Sequence, residues 1–395
     1  MKIHIIIVVF LLLLWCEVVA QPKQFSNPEK ALLAYRDNLN LLRSLNTNSR
    51  SLPDFKFFLF GMGDRRKMVY QNGNLKDLRT GEIIRQWNVK NEIIVPSEYL
   101  VQLETVEGAK IQILENENGV WEISGKGASV FPHTSSQLHL PDFSGKKFNL
   151  VLKELHHEIL INIIDGKPVP NLMVYEKPWF RDASMMGMVL KMTGNVSLIK
   201  NWIESIRDPF DRNNHGISEA DNPGQVLFLV SLVAGKDHPV VSVILDSVRQ
   251  FHKGSTENLY IEGKTDDSFH PVYQTMWLKF GLKSLGLNDP YRIPVQFDSY
   301  ASLFWWDYKE EHVSGEKFED GANHYFPYLI WAEDHLYNEH RGILGNLDYP
   351  LTWEQNASDA TYSGMRIINE QLVLEKLSYP HTWHAAEMFL LLIER

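Results

Sequence analysis

Three stretches of the sequence set charged groups beside aromatic rings at spacings that could do chemistry. The first is Lys177-Pro178-Trp179-Phe180-Arg181-Asp182-Ala183. A proline and two rings end one connection there, and an Arg-Asp pair opens a helix. Asp182 can cap that helix while Arg181 points out of its first turn, which leaves a fixed cation and a fixed carboxylate beside Trp179. Hydrogen bonds to ionised groups are about twice as strong as neutral ones, so the group suits a ligand rich in hydroxyls. The second stretch, Gly216-Ile217-Ser218-Glu219-Ala220-Asp221-Asn222-Pro223-Gly224-Gln225, crowds two carboxylates and two amides just before the apolar run Val226–Val233. Glu219 and Asp221 there either cap a helix or line a cleft, and Asp221 is the better cap because Asp-Asn-Pro-Gly is turn chemistry.

The third pattern occurs twice. Glu354 directly follows Trp353 at an expected helix start, and Glu387 lies four residues after Trp383, on the same helix face. A carboxyl packed on a ring loses water, which raises its pKa and lets it donate a proton near neutral pH. Cleaving a glycosidic bond takes two carboxyl groups, one as acid and one as base or nucleophile, and Glu387, Glu354 and Glu219 are the candidates. The 11 Trp, 15 Tyr and 20 Phe are enough to pave a cleft for flat sugar faces, although ordinary core packing uses the same rings. His156-His157-Glu158 is a fragment of a zinc pattern, but no second pair has ligand spacing, so neither a metal nor a cofactor is expected.

The elements that must position these residues begin after a leader. Met1-Lys2-Ile3-His4, an apolar run from Ile5 to Trp15, and small residues ending at Ala20 read as a signal peptide over residues 1–20. The expectation is an exported chain, secreted or on the exterior of the cell envelope, with no membrane segment after cleavage. The single cysteine, Cys16, lies inside that leader, so disulfides, thiolate metal sites and a thiol nucleophile are excluded from the mature chain. A net charge of −10 without a dense basic run argues against nucleic acid and anionic membrane as partners. About 375 residues then remain, enough for one large domain or one large and one small. Asn27-Pro28 opens an N-terminal helix within 21–50. Residues 51–148 hold short β-branched and aromatic segments broken by turns such as Gln71-Asn72-Gly73-Asn74, an antiparallel β domain. From 149 to 395 the apolar period is helical, with helices expected at Leu152–Ile164, Asp182–Met192, Ser197–Arg207, Gly224–Val233, Pro239–His252, Pro271–Leu285, His324–Leu336, Ser358–Gln371 and Thr382–Ile393.

Pro178-Trp179-Phe180-Arg181-Asp182-Ala183 resembles the Trp-x-Arg-Asp-Ala signature of the glucoamylase-like, six-hairpin glycosidases. Trp353-Glu354 is similar to their general-acid segment, and Pro380-His381-Thr382-Trp383-His384-Ala385-Ala386-Glu387 is similar to a pattern near the end of bacterial members. The resemblance covers roughly residue 150 to the C-terminus. It implies a mainly α fold, an (α/α) toroid of six-hairpin type; the nine helices counted fall short of the twelve of a full toroid, so the ring is incomplete or borrows the N-terminal helix, and the small antiparallel β domain is a lid, a carbohydrate-binding module or, the preferred reading, a clamp that covers the exposed apolar faces. It also implies a glycoside hydrolase acting on a carbohydrate substrate. Arg181 and Asp182 would hold the sugar, Trp179 and Trp353 would stack on it, and Asp221, Trp383 and His384 would complete the contacts. Glu354 or Glu219 would act as acid and Glu387 as base. Two rivals stand beside this: a polysaccharide lyase using Asn323, His324, Tyr325 and Arg341, and a glycan-binding protein without turnover.

Overall fold

The computed structural model describes residues 21–44, 51–294 and 344–393. Helix α1, Pro28–Ser44, starts where Asn27 and a proline at the first helical position set it. The Asn27 side chain accepts the Lys30 N–H at 3.1 Å. Its buried face is Tyr35, Leu39 and Leu42, spaced by one turn as an amphipathic helix requires.

Two antiparallel meanders follow. The first joins β1 (Phe58–Phe60), β2 (Met68–Gln71), β3 (Asn74–Asp77) and β4 (Ile83–Gln86) in that order. The second joins β5 (Val89–Val95), β6 (Leu100–Thr105), β7 (Lys110–Asn116), β8 (Gly119–Ser124) and β9 (Gly127–Val130). Asn72 and Gly73 turn β2 into β3 with both φ angles positive, at 47° and 76°, the geometry a two-residue hairpin loop needs.

The helices beyond are α2 (Asn149–Ile161), α3 (Phe180–Met192), α4 (Lys200–Ser205), α5 (Asn222–Ser231), α6 (Pro239–Ser247), α7 (Pro271–Ser284), α8 (Glu370–Leu374) and α9 (Thr382–Ile393). Five of them, α2, α3, α5, α7 and α9, are buried on nearly every side, charged residues of α2 and α3 included. They pack in the order α2, α9, α3, α5, α7. The α5–α7 contact is close because Gly224 and Gly281 face each other's backbone. The N-termini of α3, α5, α7 and α9 meet at one end: Thr382 reaches Asp182, Arg181 reaches Asp221, and Gln274 and Asp221 share Thr265. Helix α2 arrives at that end with its C-terminus, where Asn162 bonds the Pro380 carbonyl. Among the described residues no helix is long and apolar enough to cross a membrane.

The expected mainly α, six-hairpin-like toroid is corrected by this architecture. Sheets of four and five strands stand beside the helices, and the structure is 37 % helix and 19 % strand. Several stretches expected as single helices are broken. Ser197–Arg207 is a 3-10 turn (Val196–Leu198) and then α4, and Ser358–Gln371 is a 3-10 segment (Tyr362–Ile367) followed by α8. Links expected to join helices directly are strand pairs: β10 (Ile163–Ile164) with β11 (Lys167–Pro168), β12 (His252–Lys253) with β13 (Tyr260–Ile261), and β14 (Lys264–Thr265) with β15 (Ser268–Phe269). Glu354 sits not at a helix start but in β16 (Glu354–Gln355), paired with β17 (Leu377–Ser378). The physical reason is shared turn chemistry. Asp165-Gly166 and Asp266-Asp267 adopt positive φ, and the residues that end a helix are the ones that also close a hairpin. The expected helix at His324–Leu336 and the lyase residues Asn323, His324, Tyr325 and Arg341 lie outside the described residues.

Candidate functional site

At the end where the four helix N-termini meet, α3 is capped from a distance: Asp211 accepts the Phe180 N–H at 2.7 Å. Asp182 is therefore not the cap. Its carboxyl accepts from the Thr382 hydroxyl at 3.3 Å and lies 3.7 Å from Nε2 of His381. The same nitrogen is 3.0 Å from Glu354 Oε2. The Tyr175 hydroxyl approaches both Glu354 oxygens, at 3.3 and 3.1 Å, and the Trp179 ring stands edge-on to Tyr175 with centroids 5.6 Å apart. Two carboxyls from distant parts of the chain thus share one imidazole nitrogen. Glu354 is the member that meets solvent, its side chain 20 % exposed against 8 % for Asp182 and 6 % for His381.

Burial pushes the Asp182 carboxyl up to about 6; the His381 charge opposes the rise, Glu354 adds to it, and Arg181 and the Thr382 hydroxyl oppose it. Burial alone would lower His381, but the Glu354 charge and hydrogen bond, with Asp182 behind them, outweigh it and hold the imidazole above its ordinary value. A proton held on this set stays available near neutral pH, which is what general acid–base chemistry requires.

Arg181 turns to the neighbouring helix. Its guanidinium meets Asp221 at 3.2 Å, Glu219 at 3.1 Å and Asp266 of the β14–β15 turn. Glu219 also accepts from Asn214 at 3.2 Å and from the Asp266 N–H at 2.7 Å. Asp221 occupies the N-cap position of α5 without a capping bond; it accepts from Thr265 and Gln225 instead. Burial pushes Glu219 up to about 7, with Arg181 opposing and the two nearby aspartates adding to the rise.

The remaining sequence-derived residues lie deeper. Glu387 is fully buried within α9, and Trp353, Trp383 and His384 are buried as well. The His384 ring is 4.6 Å from that of His381, and burial, helped by the His381 charge, drives its pKa well below the ordinary value. The structure therefore gathers Asp182 and Glu354, sets Arg181, Glu219 and Asp221 beside them with Trp179 against Tyr175, and packs Glu387, Trp353, Trp383 and His384 into the interior. Sequence reasoning gave no role to Tyr175, His381 or Asp266. His381 had a signal, its position just ahead of a helix-opening threonine; Tyr175 and Asp266 had none. The zinc-like fragment is taken up by packing: His157 stacks on Phe58 and Tyr99 and reaches the Leu59 carbonyl at 3.1 Å. Among the described residues no three His, Cys, Asp or Glu side chains converge so as to hold a metal ion.

No family model, no curated protein and no solved structure matches the chain. The resemblance to the six-hairpin glycosidases is corrected accordingly: it rests on short motifs, and the mixed helix-and-sheet architecture departs from that fold. Trp-x-Arg-Asp-Ala has a local account here, since Arg181 pairs with three carboxyl groups at a junction of helix ends.

Proposed function

We propose that the protein is a glycoside hydrolase that works outside the cytoplasm and cleaves a poly- or oligosaccharide with Asp182 and Glu354 as its two carboxyl groups. The observation that carries this reading is the one imidazole nitrogen 3.0 Å from Glu354 and 3.7 Å from Asp182. Glu354, the exposed member, faces the anomeric carbon as base or nucleophile, held by Tyr175 and His381. The proton for the leaving oxygen is stored in the Asp182–His381 pair, water supplies the hydroxyl at the broken bond, and its remaining proton restores the pair. The Tyr175 and Trp179 rings, both buried, wall the cluster. The apolar run Ile5–Trp15, outside the described residues, supports export.

The test is to incubate the purified protein with neutral and acidic polysaccharides, following reducing ends and ultraviolet absorbance together. Reducing ends without absorbance are expected, with Glu354→Gln and Asp182→Asn each slower by about 10²–10⁴-fold. Absorbing, unsaturated products would replace hydrolysis by elimination. A glycan bound without turnover would make the protein a binder.

A further inference from the structure

Helix α2 contributes no side chain to the cluster, yet it carries a buried carboxyl tied to it through a short chain of hydrogen bonds. Glu158 accepts the Leu351 N–H at 2.5 Å and the Thr352 N–H at 3.2 Å, and the Thr352 hydroxyl bonds the same carboxyl. That hydroxyl oxygen also takes the His381 N–H at 3.0 Å and lies 3.1 Å from the His381 carbonyl. One residue back, the Pro380 carbonyl accepts from Asn171 at 2.7 Å and from Asn162 at 3.4 Å. His381 is thus clamped on its own amide and carbonyl by Thr352, and on the preceding carbonyl by two asparagines. Two residues beyond Thr352 the chain reaches Glu354, so one buried anchor fixes both the strand that carries the carboxylate and the backbone that carries the imidazole.

We infer that Glu158 is a positioning residue: through the Thr352 hydroxyl it sets the His381 ring between Asp182 and Glu354. The inference rests on the reading that these three form the reactive cluster. A hydroxyl has one hydrogen, and that of Thr352 lies between two acceptors, the Glu158 carboxyl and the His381 carbonyl. Glu158 takes it when ionised, and the His381 carbonyl takes it when Glu158 brings its own proton. In either arrangement the His381 amide keeps its acceptor, so the clamp survives a change in Glu158 and fails only when a partner is removed. A ring released from Glu354 and Asp182 would keep its burial, which disfavours the imidazolium.

The experiment reads the ring without any substrate. The full chain is labelled with ¹³C-histidine, the His381 signal is assigned by its loss in His381→Gln, and the ring is titrated by NMR in the parent and in Thr352→Ser, Thr352→Val and Glu158→Leu. Thr352→Ser keeps the hydroxyl and is expected to keep the parent midpoint. Thr352→Val removes the hydroxyl and Glu158→Leu removes both acceptor oxygens; each is expected to lower the midpoint by about one pH unit, toward or below the ordinary histidine value of about 6.5. A folded Thr352→Val or Glu158→Leu protein, by its melting curve, that titrates at the parent midpoint overturns the inference. Should one of the two fail to fold, the other decides. A protein that turns over no glycan yet shows these shifts defeats only the hydrolase reading; a hydrolase with unmoved midpoints defeats only the clamp.

Discussion

His381 couples two carboxyls that would otherwise repel, and its removal has a signed consequence. Its charge favours ionised Asp182 against the burial that raises it to about 6, so in His381→Gln the Asp182 midpoint should move above about 6, read by ¹³C-carboxyl titration. An unmoved midpoint would mean that the ring does not act on Asp182. Arg181 makes a different prediction. Glu219 and Asp221 are within 2 % of full burial, and Arg181→Met, which keeps an unbranched apolar stem, leaves them without their cation. Breaking such a set costs about 3–5 kcal/mol, to be measured by urea unfolding, whereas Arg79→Met at the exposed Arg79–Asp165 pair should cost under about 1 kcal/mol. Much of this pairing was hidden in the sequence. Arg181 and Asp182 stood out because they are adjacent and follow two rings. His381 lies about 200 positions away, and nothing in its neighbourhood announces that its ring would reach both Asp182 and Glu354; only the packing of α9 against α3 does that.

Elements with strong end signals were legible: α1 behind Asn27-Pro28, α7 from Pro271, and the β2–β3 hairpin through Asn72-Gly73. Helix count and arrangement were not, because apolar runs report burial and not the partner that buries them. That is why Glu354 was expected on a helix and stands on a strand. Glycine positions, unremarkable in sequence, set the helix layer. A Cβ on Gly224 would sit 2.3 Å from the Trp277 carbonyl carbon and 2.4 Å from the Leu278 nitrogen, and backbone cannot yield as a side chain does. Gly224→Ala should therefore cost about 1–3 kcal/mol or more in thermal or urea unfolding. Gly187→Ala, whose nearest neighbour is the movable Cδ1 of Leu232 at 2.9 Å, should cost clearly less. Equal losses would mean that α5 and α7 do not approach as closely as described.

At the scale of the whole molecule, helices and sheets meet around α2. His157 stacks on Phe58 and Tyr99 from the sheet region, and Glu154, one turn before Glu158, influences Tyr35 of α1, Tyr99 and Tyr349 alike. Glu154 is fully buried and its oxygens have no hydrogen-bond partner among the described residues; a proton shared with Glu158 would satisfy them. Burial, with Glu158 adding, raises Glu154 well above the usual carboxyl range, and burial pushes Glu158 up to about 7 against the bonds from Thr352 and Leu351. The native state then keeps a proton that the unfolded chain releases above about pH 4.3. Stability from this source is complete below the unfolded value and falls as pH rises toward the folded one. Glutamine has no proton to lose. The stability of Glu154→Gln relative to the parent should therefore climb by about 1.4 kcal/mol per pH unit between about pH 5 and 7, read from urea unfolding at each pH. The net charge of −10 and the buried His156 and His157, which burial lowers to about 3 and about 4, bias each protein's own curve but are common to both and cancel in the difference. A difference that stays flat across this range would place an ionised Glu154 inside the molecule, and the shared proton would be abandoned.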